Sequence, residues 1–110
     1  TLEKSERDFS PTTRYRDYAI SPTLFHWESQ SVTREQSETG QRYINHKARG
    51  SRVFIFARER KQQDGRTLPY LFLGPATYVN HQRERPMQIV WQLEYEMPAD
   101  FFHSAAVVAG

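Results

Sequence analysis

The chain of 110 residues contains no cysteine. That excludes a disulfide framework, a thiolate zinc site and a cysteine nucleophile, and it is compatible with a reducing compartment. No apolar run approaches the roughly 20 residues that a membrane helix needs, and no signal-peptide pattern opens the chain. A soluble domain with a cytoplasmic location and no membrane partner is therefore expected. The glycines are few and isolated, at Gly40, Gly50, Gly65, Gly74 and Gly110, so no Gly-rich loop is present to cradle a nucleoside triphosphate. His26, His46, His81 and His103 form no HxH or HxxxH pair, and no GxSxG elbow occurs. The residues imply no metal, no cofactor and no catalytic constellation, although a His and a carboxylate distant in sequence can still meet in space.

Rings and guanidinium groups are plentiful instead. Seven Phe, six Tyr and two Trp make 14% of the chain aromatic, which argues against disorder, and the length fits one domain over residues 1–110. Twelve of the fifteen cationic side chains are Arg, the residue whose planar fork matches phosphate oxygens and stacks on rings. Between residues 34 and 66 there are nine Lys or Arg against four Asp or Glu, whereas residues 84–110 hold one Arg against four acids. Such asymmetry points to a polyanion-facing side; the competing reading is a solvated surface with scattered ion pairs.

Secondary structure is legible in several segments. Residues 23–30 alternate as a strand, with Leu24, His26, Glu28 and Gln30 on one face and Thr23, Phe25, Trp27 and Ser29 on the other. Residues 14–20 read either as a helical turn or as an extended segment. Residues 31–50 form a polar insertion with a short helix near 39–47, in which Tyr43 and Ile44 give one small apolar side. Residues 53–59 form a second strand, Gln63-Asp64-Gly65-Arg66 a turn, and residues 70–73 the antiparallel partner. Gly74-Pro75 predicts a bulge or a sharp bend before a strand at 76–81. Residues 87–94 alternate clearly, with Met87, Ile89, Trp91 and Leu93 on one face, and residues 100–108 form a helix or tail. The expected architecture is mainly β (α+β): a small antiparallel barrel flanked by short helices, with closure removing the sheet edges.

Two features carry chemistry. Residues 14–30 place Tyr15, Tyr18, Phe25 and Trp27 beside Arg14, Arg16, Asp17, His26, Ser29 and Gln30, a mixture of rings that stack on bases and polar groups that read their edges. Phe25 and Ile20 are expected in the core. Trp27, Tyr15 and Tyr18 suit either a pocket or the core, because each polar tip needs a partner when buried. Asp17 serves equally to cap a turn or pair with an arginine. The second feature is the basic insertion, where Arg34, Arg42, Lys47, Arg49 and Arg52 are candidate contacts to a nucleic-acid backbone on a connection too long to be idle.

The run Ser10-Pro11-Thr12-Thr13-Arg14-Tyr15-Arg16-Asp17-Tyr18-Ala19-Ile20-Ser21-Pro22-Thr23-Leu24-Phe25-His26-Trp27-Glu28-Ser29-Gln30-Ser31 is long and specific. With Thr39-Gly40-Gln41-Arg42-Tyr43-Ile44, Leu73-Gly74-Pro75-Ala76 and Arg85-Pro86-Met87, it resembles a C-terminal domain of unknown function found behind superfamily 2 helicase motors. Many proteins of that kind also carry a phospholipase-D-type nuclease domain, and some are similar to type IV, modification-dependent restriction endonucleases. The resemblance implies that this chain is a domain excised from such a polypeptide, with the helicase and nuclease domains as partners. It also implies an SRA-like (PUA-like) target reader of double-stranded DNA containing 5-methyl- or 5-hydroxymethylcytosine, without catalytic activity of its own. By that analogy a base-pocket group of Tyr15, Asp17, Tyr18, His26, Trp27, Ser29 and Gln30 supplies stacking from Tyr15, Tyr18 or Trp27 and an amine contact from Asp17 or Gln30. Arg14, Arg16, Arg34, Arg42, Lys47, Arg49 and Arg52 would hold the DNA backbone. A module that couples helicase to nuclease through protein contacts is the alternative.

Overall fold

A computed structural model describes residues 1–2 and 17–106. Its elements are β1 (Tyr18–Ser21), β2 (Leu24–Glu28), α1 (Glu38–Ile44), β3 (Val53–Ala57), β4 (Gln62–Gln63), β5 (Arg66–Thr67), β6 (Leu71–Gln82), β7 (Gln88–Leu93) and α2 (Ala99–Ala105). Five strands form one antiparallel sheet in the order β1-β2-β7-β6-β3, and β4 and β5 make a separate hairpin. The described residues are thus mainly β, with two short helices.

The inward stripe of β7 lies where its alternation predicts. Met87, Ile89, Trp91 and Leu93 are all buried to 2% exposure or less, and each such burial is worth about 1.5–3 kcal/mol in transfer free energy. Phe25 joins them from β2, where it sits opposite Trp91. Ile20, expected in the core, is exposed instead. Ala19 pairs with Phe25 on the buried face, so the next residue of the strand must point outward.

The Gly74-Pro75 break is a bulge within one continuous strand. β6 runs through it, and the register with β3 shifts between Ile55 and Phe56. Gly74 has φ +96° and lies against the ring of Tyr95, 3.3 Å from where a Cβ would stand. The first half of β6 pairs with β3, the second half pairs with β7, and Ala76 has a partner in both. A second register shift falls between Tyr78 and Asn80. Bulges bend the strand and increase its twist, and the sheet curls.

Curling stops short of the expected closed barrel. Among the described residues no pairing joins β1 to β3, the two ends of the sheet. β1, of four residues, pairs with β2, and β3, of five, pairs with β6, so among the described residues the outer edge of each carries no ladder. Leu2 covers part of the β3 side, where it is buried and its N–H donates to the Arg58 carbonyl at 2.8 Å.

The polar insertion packs against β6. Ser37 caps α1 by accepting the Gly40 N–H at 3.0 Å. His46, buried, follows the helix and bridges two backbones: its Nδ1 faces the Ser51 carbonyl at 3.2 Å and its Nε2 accepts the Tyr78 N–H at 3.1 Å. That arrangement requires the proton on Nδ1. Gly40 is fixed by space, since a Cβ there would stand 2.1 Å from the Arg34 carbonyl oxygen. The obstacle is backbone and cannot rotate away. Gly40→Ala is expected to destabilise the domain by about 1–3 kcal/mol, measured as a lowered midpoint in urea unfolding with an unchanged slope.

Candidate functional site

β2 and β3 are separated in the sheet by two strands, yet both line one cavity of about 330 Å3. The curl described above produces this cavity on the concave side. Phe25, Trp27 and Trp91 form one part of its wall, Val53, Ile55 and Ala57 another, and Tyr43 approaches from α1. Thr1, Leu2 and Asp17 also line it. The volume lies at the lower end of the roughly 300–1,000 Å3 range of small-molecule sites.

Three rings set the character of the wall. Trp27 and Tyr43 meet edge to face at 5.3 Å, Tyr43 and Trp91 at 6.3 Å, and Trp27 and Trp91 lie tilted at 6.5 Å. Burial raises the pKa of the Tyr43 phenol, and the neighbouring Arg42 charge only partly offsets the effect. Tyr43 is therefore a neutral phenol throughout the physiological range. Asp17 is buried, and its Oδ1 accepts the Glu28 N–H at 2.9 Å, which ties the start of β1 to the end of β2.

The expected base-pocket residues are thus divided. Asp17 and Trp27 line the cavity together. Tyr18 and His26 face each other across the β1–β2 ladder and stack at 4.5 Å with an 11° interplanar angle. They occupy the face opposite Ala19 and Phe25, because side chains alternate along a strand. Ser29 is buried at the end of β2, where its hydroxyl accepts the Met87 N–H and donates to the Gln30 carbonyl. Gln30 is exposed in the following loop. Tyr15, Arg14 and Arg16 lie outside the described residues.

Of the expected backbone contacts, Lys47 and Arg52 line a second hollow of about 400 Å3 together with His46, Gly50, Pro75 and Glu94. Val53 borders both hollows, so these two cations adjoin the ring-lined cavity. Arg49 is exposed on the same turn. Arg42 is exposed on α1 and pairs with Glu38 at 3.7 Å. Arg34 is exposed at the far end of the insertion, beside the loop whose Arg85 N–H donates to Thr33 and whose Glu84 accepts the Glu35 N–H.

Tyr43 and Trp91 were not among the expected site residues. The signal for Trp91 was its place on the inward stripe of β7; Tyr43 carried only its place on the small apolar side of the insertion helix, and it is the docking of α1 that brings it to Trp27. A His–carboxylate contact does form: His81 Nε2 lies 3.6 Å from Glu35, and the Tyr78 hydroxyl lies 2.6 Å from His81 Nδ1. Burial, and secondarily the Glu35 charge, raise the Tyr78 pKa. A phenol made harder to ionise is a hydrogen-bond donor rather than a nucleophile, and this cluster clamps the insertion to β6.

These features define a mainly β, antiparallel domain whose concave face holds a cavity walled by aromatic rings. The chain belongs to the family described as Domain of unknown function (DUF3427), whose model matches residues 1–105. Comparison with curated proteins and with solved structures finds no match. Among the described residues no group of three or more His, Cys, Asp or Glu is placed to hold a metal ion, and no helix is long and apolar enough to cross a membrane.

The raised Tyr43 and Tyr78 pKa values make the folded state retain protons that the unfolded chain releases. Stability is therefore expected to fall as pH rises through and beyond the ordinary phenol range, and to be unaffected by these groups below it. Tyr43→Phe should flatten that alkaline loss and remove the late-titrating component from a near-ultraviolet tyrosinate titration. A profile identical to the parent protein would contradict the burial argument.

Proposed function

We propose that this domain is a DNA reader that accepts a modified cytosine, 5-methyl or 5-hydroxymethyl, in the ring-lined cavity and holds the duplex through the adjoining cations. The supporting observation is the cavity itself, a space of about 330 Å3 whose lining includes the packed rings of Trp27, Tyr43 and Trp91 together with Asp17. The resemblance of the sequence to helicase-linked, modification-dependent restriction enzymes supplies the substrate class and the partners, namely the helicase and nuclease domains of the same polypeptide. It also supplies the SRA-like comparison, in which the curled sheet is the scaffold for a base turned out of the helix. In this reading the domain catalyses nothing; ATP hydrolysis and strand cleavage belong to its partners.

Base extrusion costs a few kcal/mol of unstacking and unpairing, offset by stacking and edge contacts in the pocket. Trp27 and Tyr43 are the assigned stacking groups, and Tyr18 is not, since its ring lies against His26 on the outer face. Asp17 is the assigned partner of the exocyclic amine, with one oxygen already fixing its orientation through the Glu28 N–H. A buried methyl is worth about 0.8 kcal/mol, roughly a fourfold preference, so sharper discrimination against cytosine must come from cavity shape or from coupling to the motor. Lys47, Arg49 and Arg52 contact phosphates, which carry affinity but no sequence information.

The test is a gel shift with paired duplexes that differ only in cytosine modification. Trp27→Ala, checked for an intact fold, should abolish the preference for the modified duplex and weaken its binding by roughly five- to a hundredfold. Arg49→Ala should weaken both duplexes alike and shallow the salt dependence by about 0.9 in log–log slope, and Tyr18→Ala should change neither. Absence of binding to either duplex at low salt would favour the protein-coupling alternative.

A further inference from the structure

β3 reads Arg52-Val53-Phe54-Ile55-Phe56-Ala57-Arg58 with its flanking residues. Ile55 and Ala57 are buried, whereas Phe54 is 47% and Phe56 58% exposed. On the neighbouring β6, Phe72 pairs with Phe56 and is itself 54% exposed. The Phe72 ring lies 5.0 Å from Phe56 and 6.0 Å from Phe54, so the three rings form one continuous outer patch. Tyr70, 52% exposed, extends it beneath the Arg58 guanidinium, 4.1 Å above the ring centroid. Phe54 and Phe56 also line the cavity, while Phe72 and Tyr70 are not among its lining residues.

Contiguous exposed rings of this kind mark an interaction surface. We propose that this face of β3 and β6, on the side of β3 opposite the buried Ile55 and Ala57, is a stacking platform for single-stranded nucleic acid.

Geometry favours a single strand. Phe54 and Phe56 are two residues apart on one face, about 6.6–6.8 Å along the strand, which spans two base-stacking steps of about 3.4 Å. Bases seated on successive rings are therefore separated from each other, a condition met by an open strand and not by a duplex. Charge points to a polyanion. Residues 52–66 carry five cations, Arg52, Arg58, Arg60, Lys61 and Arg66, against Glu59 and Asp64. Arg58 is held in place by donating to the Leu68 carbonyl and the Thr1 hydroxyl, so one positive charge is fixed beside the rings. The same charges disfavour a second copy of the chain: antiparallel pairing of two β3 edges about Ile55 would set Arg52 opposite Arg58.

The test is fluorescence anisotropy of the chain with a labelled single-stranded oligothymidine, and with an unmodified duplex of equal length, at low and moderate salt. The single strand should bind in a salt-dependent manner, and Phe56→Ser and Phe72→Ser should each weaken it roughly five- to a hundredfold. Phe72→Tyr keeps a stacking ring and should retain binding, which separates stacking from any effect on folding. Trp27→Ala should leave single-strand affinity unchanged, so failure of the platform and failure of the cavity reading are distinguishable. The proposal is overturned if no single strand binds at low salt, or if both serine variants bind as the parent does. It is equally overturned if sedimentation shows a dimer that the serine variants dissociate, which would make the face an interface between copies.

Discussion

Along β6 a single backbone serves two ladders, with β3 on one edge and β7 on the other, and Ala76 belongs to both. The bulge at Gly74 and the register shift near Val79 bend this strand. The bend brings β3 round toward β2 although two strands lie between them. The cavity is a consequence of that curl and not of any one side chain. Without it, Trp27 on β2 and Ile55 on β3 would lie on a flat sheet with no common space between them.

The insertion between β2 and β3 is fastened to the bent strand at two places. His46 accepts the Tyr78 N–H and contacts the Ser51 carbonyl, while Tyr78, His81 and Glu35 form a chain of polar contacts further along β6. A buried imidazole with both nitrogens engaged is costly to disturb, so α1 and its following turn are held in a defined position. That position carries Tyr43 to the cavity wall and leaves Lys47, Arg49 and Arg52 exposed beside it. The two faces of β3 then differ in kind. Its inner side belongs to the cavity and the core, and its outer side carries half-exposed rings bracketed by arginines.

Alternation along β7 and β2 was plain in the amino-acid order. The buried stripe from Met87 to Leu93 and the inward Phe25 and Trp27 lie as that alternation requires, because one face of each strand must leave water. The turn at Asp64-Gly65 and the break at Gly74 were equally visible, since positive φ values favour such residues. Ile20 shows the limit: hydrophobicity alone assigned it to the core, but its strand parity, set by the pairing of Ala19 with Phe25, turns it outward.

Composition and spacing by themselves determined a small antiparallel β domain with a basic insertion and a ring-rich strand, because side-chain size, charge and period are local properties. Tertiary structure alone decided that the sheet curls without closing among the described residues, that Tyr18 rests on His26 instead of joining Trp27, and that Tyr43 and Trp91 complete the wall. Those outcomes depend on which backbone edges pair and where a bulge shifts the register. Such pairings form between residues far apart in the chain, and no short stretch of sequence specifies them.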